Sequence, residues 1–164
     1  MFYDYFGFPP AAYEKNYPAP GHPQLANQIA SLLREAGIAA QVDPHRGFDY
    51  GLFIPLNLMY PQAYIPAVQL SLIDGLSPVT HLSLGKSLSK LGNQNLLVIS
   101  SGFSFHNMSA FFHHDPDMIS PRNNLFQDWL IETVTGDIRH LERESRLAAW
   151  EDAPHAHFCH PRGE

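Results

Sequence analysis

The sequence predicts an α/β fold: a single domain over 1–164, with a central mixed or mainly parallel sheet flanked by helices. Three observations lead there. Short apolar runs alternate with helical patterns in the order strand, helix, strand, helix, strand. Leu96 to Ile99 is a continuous apolar run with Val and Ile, ending in Ser100-Ser101-Gly102, as a strand buried on both faces reads. Two segments carry apolar residues at helical spacing with capping residues at their ends.

The chain opens with Tyr3, Tyr5, Phe6, Phe8, Tyr13 and Tyr17 set among Pro9, Pro10, Pro18, Pro20 and Pro23. Proline fixes the backbone and removes donors, so this segment is expected to be irregular and to lie over a core or a pocket. The first helix is expected over Pro23–Ala36, with Leu25, Ile29, Leu32 and Leu33 on one face and Gly37 ending it. Ile38–Val42 reads as a strand, and Asp43-Pro44-His45-Arg46-Gly47 as a turn. Phe48-Asp49-Tyr50-Gly51 follows, with residue types suited to a pocket wall. Ala67–Leu72 reads as a second strand, in which Gln69 and Ser71 alternate with apolar residues and make one face polar.

A second helix is expected over Ser77–Leu91, with Ser77 as N-cap and Pro78 in the first helical position. His81 on it reads as a structural histidine. The third strand, Leu96–Ile99, leads to His106-Asn107. In an open sheet, ligands bind beyond the carboxyl ends of strands. An imidazole there can bind a metal or move a proton near neutral pH, or simply cap a turn. Residues 108–121 read as a loop in which His113, His114, Asp115 and Asp117 could bind a metal. Helices over Asn124–Val134 and Asp137–Ala149 close the pattern, with Asp137 as a cap and Glu142–Arg146 as a solvated pair. The tail offers His155, His157, Cys159 and His160, metal-ligand types in one short tract without a distant partner pair.

Composition narrows the function. The chain has 164 residues, 45% of them hydrophobic, and a formal charge of −6. That supports a real core. The ten Lys and Arg are scattered, so neither nucleic acid nor a membrane surface is an expected partner. The single cysteine, Cys159, rules out an intramolecular disulfide framework and fits a reducing, cytoplasmic setting. No apolar run reaches the roughly 20 residues that span a bilayer. Gly-rich phosphate loops and strand–helix serine nucleophile motifs are absent.

Eight segments taken together resemble one family. They are Y-D-Y-F-G-F-P-P (3–10), Y-P-A-P-G (17–21), R-G-F-D-Y-G (46–51), I-P-A-V-Q-L-S-L (65–72), H-L-S-L-G (81–85), S-G-F-S-F-H-N (101–107), W-E-D-A-P (150–154) and H-P-R (160–162). In order and spacing the chain resembles the class III extradiol ring-cleavage dioxygenases. The branch it resembles is the 4,5-DOPA extradiol dioxygenases, relatives of the catalytic subunit of protocatechuate 4,5-dioxygenase.

The resemblance implies a non-haem metal enzyme, with Fe(II) or Zn(II), that opens a small catecholic aromatic substrate with O2. It implies His106 as the proton-transfer residue or a metal ligand. It places Asp49, Tyr50 and Asn107 at the substrate. Tyr50 stands where the family usually has histidine; a phenol donates a hydrogen bond but does not titrate near neutral pH. Two family metal histidines precede the 3–10 segment and one follows H-P-R. The resemblance therefore implies a partial catalytic domain, truncated at both ends and missing N-terminal strands. Two alternatives stay open. One is a non-catalytic member acting in binding or assembly, including as a homo-oligomer, or an inactive fragment. The other is a zinc hydrolase built on the tail histidines.

Overall fold

The structure, a computed structural model, describes residues 1–92, 94–113 and 116–161, and the side chains of these except 113, 116 and 117. His114, Asp115 and Arg162, and the side chains of His113 and Asp117, thus lie outside what is described. The described residues form helices α1 (Pro23–Glu35), α2 (Tyr50–Met59), α3 (Pro78–Leu88), α4 (Met108–His113), α5 (Pro116–Thr135), α6 (His140–Ala148) and α7 (Ala156–Cys159). Short 3-10 turns cover Pro10–Ala12, Ser89–Leu91 and Trp150–Asp152.

The described residues do not form the expected central sheet. Among the described residues the only β pairing is an isolated parallel bridge between Gly21 and Ala67. Ile38–Val42, Ala67–Leu72 and Leu96–Ile99 form no ladder. Leu97 and Val98 are 65% and 77% exposed, so the third run is not buried on either face. The reason is general. An apolar run shows that a segment would suit a sheet, whereas a strand exists only where a second segment takes its N–H and C=O groups.

The chain divides into two compact units, Met1–Ser71 with Leu84–Gly102, and Leu72–Ser83 with Phe103–Glu164. In the first unit α1 follows its sequence pattern, with Ala30 and Leu33 buried. The imidazole Nδ1 of His22 caps it by accepting from Leu25 N–H at 3.2 Å. The far end is a Schellman turn: Gly37 N–H donates to Arg34 C=O and Ile38 N–H to Leu33 C=O, both at 2.9 Å. Gly37 has φ +76°, where a Cβ is strained. A Gly37→Ala variant is therefore expected to lose about 1 kcal/mol. Urea melts will read this as a lower midpoint with unchanged slope; an unchanged midpoint would contradict the cap.

The core of this unit joins Tyr17, Leu52, Phe53 and Ala63, with Tyr3, Tyr5, Phe48 and Leu56 packed against them. The proline-rich N-terminal segment thus covers a core, as its aromatics suggested. Its phenols are tied down: Tyr3 donates to Lys15 C=O and Tyr5 to Ala12 C=O, both at 2.6 Å, and Tyr17 donates to Tyr60 C=O at 2.9 Å. Burial pushes the Tyr5 hydroxyl above its ordinary range, with Tyr3, Tyr13 and Asp4 adding to it. Burial likewise raises that of Tyr17, with Tyr60 and Tyr64 beside it. Both remain protonated donors.

In the second unit Ser77 caps α3 as expected, its hydroxyl accepting from Thr80 N–H at 3.3 Å. His81 is structural. One ring nitrogen accepts from Ile73 N–H at 3.1 Å and the other donates to Ser77 C=O at 2.8 Å, which a single neutral tautomer satisfies. Helix α5 begins earlier than its pattern suggested and carries Pro121 inside. Arg143 closes the end of α5, donating to Thr133 C=O and Gly136 C=O, each at 3.0 Å. Arg146 bridges Glu132 at 3.2 Å and Glu142 at 3.0 Å, joining α5 to α6. The Glu142–Arg146 pair is the one the sequence indicated. Arg139, not Asp137, occupies the N-cap position of α6.

Candidate active site

The candidate residues fall into two groups, one in each unit. Asp49 and Tyr50 stand together where α2 begins. Asp49 is the N-cap, with an extended backbone and its Oδ1 accepting from Gly51 N–H at 3.1 Å. A carboxylate there also meets the positive end of the helix dipole. Its Oδ2 accepts from Arg46 at 2.9 Å, and Gln69 Nε2 donates to Oδ1. Gln69 Oε1 in turn accepts from Asp49 N–H at 3.1 Å.

Upstream, Asp43 accepts from the backbone N–H groups of His45 (2.9 Å) and Arg46 (3.1 Å). Those bonds hold its carboxyl below the usual range. Tyr50 N–H donates to Asp4 Oδ1 at 3.4 Å. The Tyr50 ring is half exposed and meets Tyr5 edge-on at 6.0 Å. Its hydroxyl has no hydrogen bond among the described residues. Both oxygens of the Asp49 carboxylate are thus engaged by the protein, while the Tyr50 hydroxyl has no such partner.

His106 and Asn107 stand together in the second unit, held by the tail. His106 N–H donates to Cys159 C=O at 2.8 Å, and the His106 side chain is exposed. Asn107 Nδ2 donates to Phe158 C=O at 2.8 Å, and its Oδ1 accepts from Ala110 N–H at 2.9 Å, capping α4. The His160 ring pairs with Ser104 C=O at 2.8 Å and packs between Phe126 and Trp150. Ser104 also donates to Gln127. Behind this lies a cluster of Phe126, Ala153, Ala156 and Cys159, with Phe105, Trp129, Trp150 and Phe158 packed on it.

The backbone of 104–107 is therefore fixed from 51 to 56 residues away, and His106 projects from a rigid support. This role of the tail was not visible in the sequence. Histidine and cysteine in a short tract suggested a ligand set, whereas the carbonyls of Phe158 and Cys159 hold the loop. Gln69 was visible only as a polar residue in an apolar run.

Among the described residues no three His, Cys, Asp or Glu side chains gather where a metal ion could be held. The H-x-H-x-C-H tract does not assemble such a set. His155 takes a left-handed conformation at φ +57°, and Cys159 is completely buried. Burial pushes the Cys159 thiol up, away from the thiolate that binds metals. Iodoacetamide at pH 8 is accordingly expected to leave Cys159 unmodified in the native chain and to label it fully in urea. Rapid native labelling, read by mass spectrometry, would contradict this burial.

The family described as the catalytic LigB subunit of aromatic ring-opening dioxygenase matches residues 1–159. The chain belongs to that family. Its curated relatives agree with the assignment. Dioxygenase tasH of Hapsidospora irregularis is 36% identical over 169 residues, covering 98% of this chain and 52% of that protein. The 4,5-DOPA dioxygenase extradiol of Beta vulgaris is 39% identical over 152 residues, covering 91% of this chain and 56% of that protein. Its namesake in Escherichia coli (strain K12) is 34% identical over 134 residues, covering 81% and 49%.

The LigB-family chain thus spans about half the length of the curated relatives it matches. Ring opening in the family depends on a metal. The described residues do not supply a ligand set for one. No helix among the described residues is long and apolar enough to cross a membrane.

Proposed function

We propose that this chain is a partial extradiol dioxygenase domain, and that it serves opening of a small catecholic aromatic by dioxygen. The observation that carries this is the family match over 1–159, together with an exposed His106 on a fixed backbone. In this reading His106 takes or returns a proton at a ring oxygen of the substrate, as general acid–base chemistry requires. Asn107 holds His106 in place by capping the next helix. Within the first unit, Tyr50 offers its free hydroxyl as a hydrogen-bond donor to a catecholic ligand, and Asp49 fixes the turn that presents Tyr50.

Iron(II) or zinc(II) is the proposed metal; His106 would be the residue this chain offers to it only in place of the proton-transfer role, not together with it. We place the protein in the cytoplasm, on the strength of its single cysteine. DOPA, named in several relatives, is the first substrate to try.

A second reading keeps the fold without the chemistry, as a binding or assembly protein, alone or as a homo-oligomer. The lack of a metal-ligand set among the described residues favours it. One experiment separates the two. The chain is mixed with iron(II) and L-DOPA in air, and absorbance is followed in the visible. Accumulation of a yellow ring-opened product supports the first reading. Saturable binding of L-DOPA with no product supports the second as a binding protein, and neither binding nor product from a folded sample contradicts the first and leaves assembly, which the mass in solution then tests.

A further inference from the structure

We infer that Gln69 is a positioning residue within the first unit, acting on Tyr50 through Asp49. This rests on the reading above, in which Tyr50 meets a catecholic ligand. Gln69 holds Asp49 at two points from twenty positions away. Its Oε1 accepts from the Asp49 backbone N–H at 3.1 Å, and its Nε2 donates to Asp49 Oδ1.

Capping α2 does not need this second anchor. A cap requires only that a side-chain oxygen accept from the first turn, and Asp49 already does so with Gly51 N–H. What Gln69 adds is orientation. With Arg46 on Oδ2 and Gln69 on Oδ1, the carboxylate cannot rotate, and the main chain entering Tyr50 is pinned on the same side. The fit is close: a Cβ at Gly51 would come within 3.2 Å of Asp49 Oδ1 and 4.0 Å of Gln69 Nε2. Tyr50 is then fixed from three directions, by Asp49, by Asp4 on its N–H and by the Tyr5 ring, with only its hydroxyl free.

Residue chemistry explains the choice of glutamine. A neutral amide accepts from a main-chain N–H and donates to a carboxylate at once. Glutamate would face Asp49 with a second negative charge, and methionine of similar length would make neither bond. The arrangement also explains why a polar residue interrupts the apolar run Ala67–Leu72.

The test uses the full chain, 4-nitrocatechol as probe and visible absorbance as the binding signal. Gln69→Met removes both bonds without adding charge and is expected to weaken binding about tenfold. Gln69→Glu should weaken it further. Binding by Gln69→Met or by Gln69→Glu equal to wild type would overturn the inference.

A second readout needs no ligand. In chain labelled with 3-fluorotyrosine, the resonance lost in Tyr50→Phe reports residue 50. It should shift or broaden in Gln69→Met, while the other resonances stay. If it does not move, Gln69 is not a positioning residue. If wild type binds no 4-nitrocatechol while the Tyr50 signal still follows Gln69, the substrate reading falls and the positioning stands.

Discussion

Replacing Phe53 by alanine will remove about 3–5 kcal/mol of stability, the range for emptying a buried aromatic site. Phe53 is 1% exposed and lies at the centre of the first unit's core. Tyr3 meets its ring edge-on at 6.0 Å, and Tyr5 lies at 6.4 Å. Neither tyrosine can follow the ring inward to fill the space. Their hydroxyls are committed to the carbonyls of Lys15 and Ala12, so a void remains. Domains are held by only about 5–15 kcal/mol in total, so this one change consumes a large share. Urea denaturation followed by tyrosine fluorescence measures it. A loss below about 1 kcal/mol, the size of an ordinary surface change, would mean that the N-terminal aromatics do not pack as described.

The second large effect is on activity. Replacing His106 by alanine is expected to lower ring-opening turnover by about 10²–10⁴-fold, the usual contribution of a positioned acid or base. Stability should hold within about 0.5 kcal/mol, as for an exposed side chain. The two can be separated because the contact that fixes residue 106 runs from its main-chain N–H to Cys159, and alanine keeps that group. Asn107→Ala is the contrasting control. It removes side-chain bonds to Phe158 C=O and Ala110 N–H and should destabilise the loop itself. Turnover unchanged in His106→Ala would remove His106 from the mechanism.

What could be read from the sequence follows from how local each signal is. Helix α1 was legible almost to the residue because its stripe, its start at Pro23 and its Gly37 stop are all local. Ser77 and the Glu142–Arg146 pair were legible for the same reason. Helix α2 was not. Tyr50–Met59 is apolar all round, with Leu52 and Phe53 buried but Ile54, Leu58 and Met59 exposed, and Pro55 lies inside it. Asp49 was therefore read as pocket wall when it is first of all a helix cap. The three apolar runs were read as strands because their side chains suit a sheet, but pairing is a long-range property that no window contains.

The same limit applies to the site. His106-Asn107 stood out by residue type and by family resemblance. That the carbonyls of Phe158 and Cys159 support it could not, since main-chain acceptors leave no mark on residue identity. Gln69 left a partial mark, as one of two polar residues alternating with apolar ones in Ala67–Leu72.

The most direct test of the central claim, that this chain serves extradiol ring opening, is the fate of isotopically labelled dioxygen. The chain is supplied with iron(II), a catechol and ¹⁸O₂, and the product is analysed at once by mass spectrometry. The account predicts a ring-opened product that carries both heavy oxygen atoms from one molecule of dioxygen. A folded chain that yields no ring-opened product, or only unlabelled quinone, would contradict it.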